Sequence, residues 1–204
     1  LLEVEGEDVT EFEKTVDTYY SSVDFPEDVT MTFSSIGLKG QGFKETHILS
    51  FVSPSSQSLA NLRASLSGEK WENYLDLVRP FVDNVRVSAG YASKVFKPEE
   101  FYPIGQVWGF KVKSKFIPQF TLAFEKLMQT FDAPGFVGLA NVTHGISNGE
   151  NLLIYGTYPD LNSAFTFGPK NEAEAGAFAE FFNVTGEISE FTQSWTRVKI
   201  NDYN

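Results

Sequence analysis

Residues 108–141, WGFKVKSKFIPQFTLAFEKLMQTFDAPGFVGLAN, read against an earlier part of the same chain. Moved back by 108 positions, Phe110 falls on Leu2, Val112 on Val4, Ile117 on Val9 and Phe120 on Phe12. Phe124 then falls on Val16, Leu127 on Tyr19, Phe131 on Val23, Asp132 on Asp24, Pro134 on Pro26 and Val137 on Val29. Few of these pairs are identical. What repeats is the apolar pattern and a coincident proline, and self-similarity at a fixed offset bears directly on architecture.

Composition sets the outer bounds. A chain of 204 residues has room for two units of about a hundred residues each. Apolar residues make up 42%, and the 20 Phe are ample for packed cores. A net charge of −11 argues against a nucleic-acid partner and against adhesion to anionic membranes, both of which need clustered Lys and Arg. With no cysteine, disulfides, thiolate catalysis and thiolate-held metals are excluded. No apolar run approaches the roughly 20 residues that cross a bilayer, so the expectation is a soluble protein. Leu1 stands where an initiator Met would, as a cleaved secretory signal would leave it, so an exported (periplasmic or extracellular) location is preferred to a cytoplasmic one.

Periodicity supplies the elements. Residues 1–8 alternate as a strand, Asp8 or Thr10 caps a helix carrying Phe12, Val16 and Tyr20, and Pro26 stops it. Strands follow at 28–36 and 45–53 around a turn at Gly37, Gly40 and Gly42. Ser55–Ser58 offers caps for helical segments that break at Ser67-Gly68 and resume through Trp71 to Val82, and a last strand spans 85–96. The second half repeats this order. Strand 107–113 leads to a helix at 117–131 with Pro118 in its first turn, and strands at 136–143 and 151–158 flank the turn at Gly145–Gly149. A helix at 172–182 and a strand at 188–200 complete the half. Residues 98–106 read as a linker between repeats at 1–97 and 107–204. Each half is thus βαββαβ, the ferredoxin-like order, which predicts an α+β protein.

Two such sheets in one chain resemble the dimeric α+β barrel superfamily in fused, tandem form, with the sheets facing each other as a pseudo-dimer. Residues 58–75, SLANLRASLSGEKWENYL, resemble the second helix of antibiotic-biosynthesis-monooxygenase (ABM) domains. The resemblance implies either a protein holding a small organic molecule between its sheets without catalysis, or a cofactor-independent monooxygenase or isomerase. The chain would be a monomer with an internal pseudo-twofold or a homodimer of it. Haem-degrading and haem peroxidase-like members carry a histidine late in the domain, whereas here no His follows His144. Haem is therefore not expected, and no cofactor is called for.

Candidate site residues come from the first strands. Glu3, Glu5 and Glu7 match Lys111, Lys113 and Lys115, and alternation puts each triplet on one side of its strand. Three readings stay open: pairing between the halves, plain solvent exposure, or a pocket for an anionic ligand in which Lys111 and Lys113 are joined by Tyr155 and Thr157. Trp108 and His144 complete the candidate ligand-binding set, with Trp195 and Phe110 as further aromatic walls for oxygenation in an apolar cavity. His47 and His144 show no metal-ligand spacing, so no metal site is expected. No catalytic residue is assigned, since nucleophile and phosphate-binding motifs are missing. Asn141 and Asn183 begin N-glycosylation patterns.

Overall fold

A computed structural model describes residues 1–4, 9–146 and 148–204. The acids Glu5 and Glu7, the cap Asp8 and Ser147 of the second turn lie outside the described residues. The fold is mixed α+β, and the described strands take the hydrogen-bonded order β4-β1-β3-β2-β9-β6-β8-β7-β5. The chain divides into two compact units: Leu1–Gly37, Gly42–Arg86 and Val198–Asn204 form unit 1, and Leu38–Gln41 with Val87–Arg197 forms unit 2.

Unit 1 contains β1 (Leu2–Val4), α1 (Val9–Tyr20), β2 (Thr30–Lys39), β3 (His47–Val52), α2 (Ser56–Ser65), α3 (Glu69–Val78) and β4 (Val82–Val85). Helix α1 buries Phe12, Val16 and Tyr20, four residues apart and so on one face. They pack on Met31 and Phe33 of β2 and on Tyr74 and Val78 of α3. Ser55 caps α2 by accepting a hydrogen bond from the Ser58 backbone N–H at 3.2 Å. Gly68, with φ of 78°, separates α2 from α3 in a conformation that favours glycine.

Unit 2 contains β5 (Ala89–Phe96), β6 (Ile104–Val112), α4 (Ile117–Thr130), β7 (Val137–His144), β8 (Leu152–Tyr158), α5 (Leu161–Phe165) and α6 (Glu172–Ile188). Strand β9 (Ser189–Tyr203) ends it and runs on into unit 1 at Val198. The unit 2 core joins Phe120, Phe124 and Leu127 of α4 to Val112, Leu139, Leu152 and Ile154 of the strands and Phe181 of α6. The residues matched by the 108-position shift are buried in both halves: Val4 and Val112, Phe12 and Phe120, Val16 and Phe124.

Three boundaries differ from the sequence reading. The single strand expected at 85–96 is two strands: Val82–Val85 pairs antiparallel with β1, whereas Ala89–Phe96 pairs antiparallel with β7. Alternation is a property of one strand and carries no information on its partner. Helix α6 extends to Ile188 despite Asn183, Thr185 and Gly186, because Phe181 and Thr185 are held on its buried face and the Thr185 hydroxyl donates to the Phe181 carbonyl at 2.8 Å. Strand β6 stops at Val112, so Lys113 leads and Lys115 lies inside a 3-10 turn, Ser114–Phe116, and neither belongs to a strand face.

Phe120 is fully buried, edge-on to Phe181 at 5.6 Å, so Phe120→Ala is expected to cost about 3–5 kcal/mol of stability. Leu122→Ala, on the exposed side of α4, is expected to stay within about 0.5 kcal/mol. Urea denaturation midpoints of the two variants check the difference.

Candidate functional site

Strand alternation divides unit 2 into two chemistries. On β6, Trp108, Phe110 and Val112 face the core, and on β8, Leu152, Ile154, Gly156 and Tyr158 do the same. Helix α4 presents Phe124, Leu127, Met128 and Phe131 to this surface, and α6 presents Phe178, Phe181, Phe182 and Thr185. The two helices do not fill the space above the strands, and a cavity of about 280 Å³ remains.

Its walls are mostly aromatic. Trp108 and Phe167 lie 5.3 Å apart, Phe131 meets Phe178 edge-on at 4.9 Å, and Tyr158 meets Phe167 edge-on at 5.7 Å. Such edge-on contacts suit the ring quadrupole and hold the walls in place. Two of the lining rings, Phe182 at 60% and Phe191 at 56% exposure, also reach solvent, so the cavity opens between them. Its polar atoms are hydroxyls and an indole N–H; no lining residue carries a charge. Burial pushes the Tyr158 phenol well above its usual pKa, so it stays protonated as a hydrogen-bond donor.

The opposite face of β8 is polar and fully engaged. Tyr155 is half-buried, and its hydroxyl accepts hydrogen bonds from Arg197 Nε at 2.9 Å and from Arg197 Nη2. The Arg197 guanidinium lies 5.5 Å from the ring centres of both Phe101 and Tyr155. Thr157 is buried; its hydroxyl donates to the Glu100 carbonyl at 3.1 Å and accepts from the Tyr102 backbone N–H at 3.3 Å. It thereby ties the segment before β6 to β8.

The charged triplets separate. Lys111 pairs with Glu190 at 3.3 Å within unit 2, and Glu3 pairs with Lys44 at 3.1 Å within unit 1. Lys113 is exposed, and Lys115 lies 4.7 Å from the Phe116 ring centre. His144 is exposed at the end of β7, its Nδ1 3.0 Å from the Thr143 hydroxyl. Of the six residues singled out from sequence, Trp108 lines the cavity. Lys111, Tyr155 and Thr157 are engaged elsewhere, and Lys113 and His144 sit at strand ends. Sequence reasoning missed Tyr158, Gly156 and Phe167. The alternation of Ile154, Gly156 and Tyr158 with Tyr155 and Thr157 carried the signal for the first two. Asn141 is buried in β7, while Asn183 is exposed on α6. Among the described residues no group of three or more His, Asp or Glu side chains could hold a metal ion, and no helix is long and apolar enough to cross a membrane.

No family model and no curated protein sequence matches the chain. Solved structures do. A candidate monooxygenase from Fusobacterium nucleatum subsp. nucleatum superposes with a TM-score of 0.66 at 12% identity, covering 100% of this chain and 91% of that one. A candidate monooxygenase from Lactobacillus acidophilus gives a TM-score of 0.66 at 11% identity, covering 100% and 92%. An anthrone oxidase-like protein gives 0.64 at 12% identity, covering 98% and 89%. The likeness is one of fold, an ABM-like α+β arrangement along the whole chain.

Helix α5 sets the entry to Phe167, and Asp160 caps it: its carboxylate accepts from the Ser163 backbone N–H at 2.7 Å. That bond, then the Ser163 hydroxyl, holds the Asp160 carboxyl below its ordinary 3.8. A carboxyl with a depressed folded pKa stabilises the fold above its unfolded value, and this contribution is lost as pH falls through the folded one. Asp160→Ala is therefore expected to lower the melting temperature at pH 7, with the gap to the parent closing below the ordinary value of 3.8. Thermal melts of both proteins from pH 7 to pH ~2.5 read the trend.

Proposed function

We propose that the chain binds a small, uncharged, largely planar organic molecule in the aromatic cavity of unit 2. The observation that carries this is the cavity itself: about 280 Å³, open between two phenyl rings and walled by aromatic side chains. An apolar cavity of ~150 Å³ stays dry and takes benzene, so one nearly twice that size suits two fused rings. A charged ligand would lose its hydration there without gaining a partner.

The architecture we propose is a tandem of ferredoxin-like units of the ABM-like kind. It is supported by the same element order in both units and by strand orders that correspond, β4-β1-β3-β2 and β9-β6-β8-β7. The matched burial of Phe12 with Phe120 and Val16 with Phe124 supports it further. A second reading, oxygenation of an aromatic substrate in the same cavity without a cofactor, is favoured by the candidate monooxygenases and the anthrone oxidase-like protein among the similar structures. Oxygen uptake with 1-naphthol as substrate distinguishes turnover from binding.

The chain has 2 methionines, which makes the binding test direct. Met128 lines the cavity, and Met31 is fully buried in the core of unit 1. With methyl-labelled Met, titration with a two-ring aromatic is expected to shift the Met128 methyl resonance, leave Met31 in place and raise the melting temperature. Absence of any Met128 shift at ligand saturation would sink the proposal.

A further inference from the structure

We infer that Gly156 and the Tyr158 hydroxyl together select the ligand: a ring system carrying a hydrogen-bond-acceptor oxygen, seated with that oxygen in the notch Gly156 leaves. The inference rests on the cavity being the binding site. On the core-facing row of β8, Ile154 and Tyr158 each supply a side chain and Gly156, between them, supplies none. Glycine inside a strand weakens it, and it marks a bulge, a bend or a close approach of another group. Gly156 is paired in register with Val137 and Gln106, without a bulge. It has no positive φ, so the backbone does not require glycine there.

Crowding does not require it either. A Cβ at position 156 would lie 3.5 Å from the Tyr158 hydroxyl and 3.6 Å from Trp108 Cζ3, both ordinary van der Waals contacts. The glycine therefore leaves open a space bounded by an indole ring on one side and a phenol oxygen on the other. This is a stacking wall and a donor set side by side.

The other hydroxyls of the wall are committed to helix α6 and its end. Thr185 donates to the Phe181 carbonyl at 2.8 Å and Ser189 to the Thr185 carbonyl at 2.6 Å. Tyr158 donates to Gln106 Oε1 at 3.4 Å, longer than the ~2.5–3.0 Å of a well-formed O–H···O bond. An acceptor oxygen in the notch would give this protonated phenol a bond of normal length, and Gln106, half-buried, can turn to water. A ligand without such an oxygen gains only the apolar contacts.

Tetralin and 1-tetralone share a two-ring skeleton and differ by one carbonyl, so calorimetric titration of both tests the inference. For the parent protein both are expected to bind. Tyr158→Phe is expected to weaken 1-tetralone about five- to tenfold and leave tetralin unchanged. Gly156→Ala, which places a methyl in the notch, is expected to weaken 1-tetralone at least as much and tetralin less. The Met128 methyl resonance checks that each variant keeps its fold, and either variant alone decides the outcome. If Tyr158→Phe weakens both ligands equally or neither, or if Gly156→Ala leaves 1-tetralone unaffected, the inference is overturned while cavity binding stands. If the parent binds neither molecule, the cavity reading itself fails and takes the inference with it.

Discussion

The structure of unit 2 depends on how α4 meets the strands beneath it. Its apolar stripe descends onto β6 and β8 through Phe120 and Phe124, which are almost wholly buried, and Phe120 also braces α6 through Phe181. With the helices held at that height, the space farther along α4, past Leu127, Met128 and Phe131, is lined by rings without being filled. Interiors normally pack as densely as organic crystals, so an unfilled volume of this size is a departure that stability alone does not favour.

Unit 1 shows what filling looks like. By the shift of 108, Leu127 corresponds to Tyr19 and Met128 to Tyr20. Between α1, α3 and their strands, Tyr19 stacks on Tyr74 at 4.2 Å and Tyr20 meets Tyr74 edge-on at 5.7 Å. Trp71 adds a further ring against both Tyr19 and Tyr74. Where unit 1 places interlocking tyrosines, unit 2 places a flexible Met and a slimmer Leu around open space. The two halves share a pattern and divide its consequences: one half spends its aromatic residues on packing, the other on walls.

Charge and polarity follow the same division by face. Arg197, Tyr155 and Thr157 lie on the side of β8 away from the cavity and satisfy one another or the backbone. The row next to them, Ile154, Gly156 and Tyr158, offers one phenol in an apolar setting. A one-residue change of register would exchange these rows, which is why the alternation of β8 matters more to the site than any single residue in it.

The sequence by itself determined the order of strands and helices and the correspondence of the halves. Local periodicity, Gly68, Pro26 and Pro118 act over a few residues, where backbone preference and burial agree. It also singled out Trp108, a large aromatic on an alternating strand. Which rows face a helix, and hence that Tyr158 and Gly156 line a cavity while Tyr155 and Thr157 do not, was decided by packing between elements far apart in the chain. The same holds for the pairing of Ala89–Phe96 with β7 and for the salt bridges of Glu3 and Lys111. A strand's alternation is blind to its neighbour, and an empty volume is the difference between large packed surfaces. Neither quantity is written in any one segment.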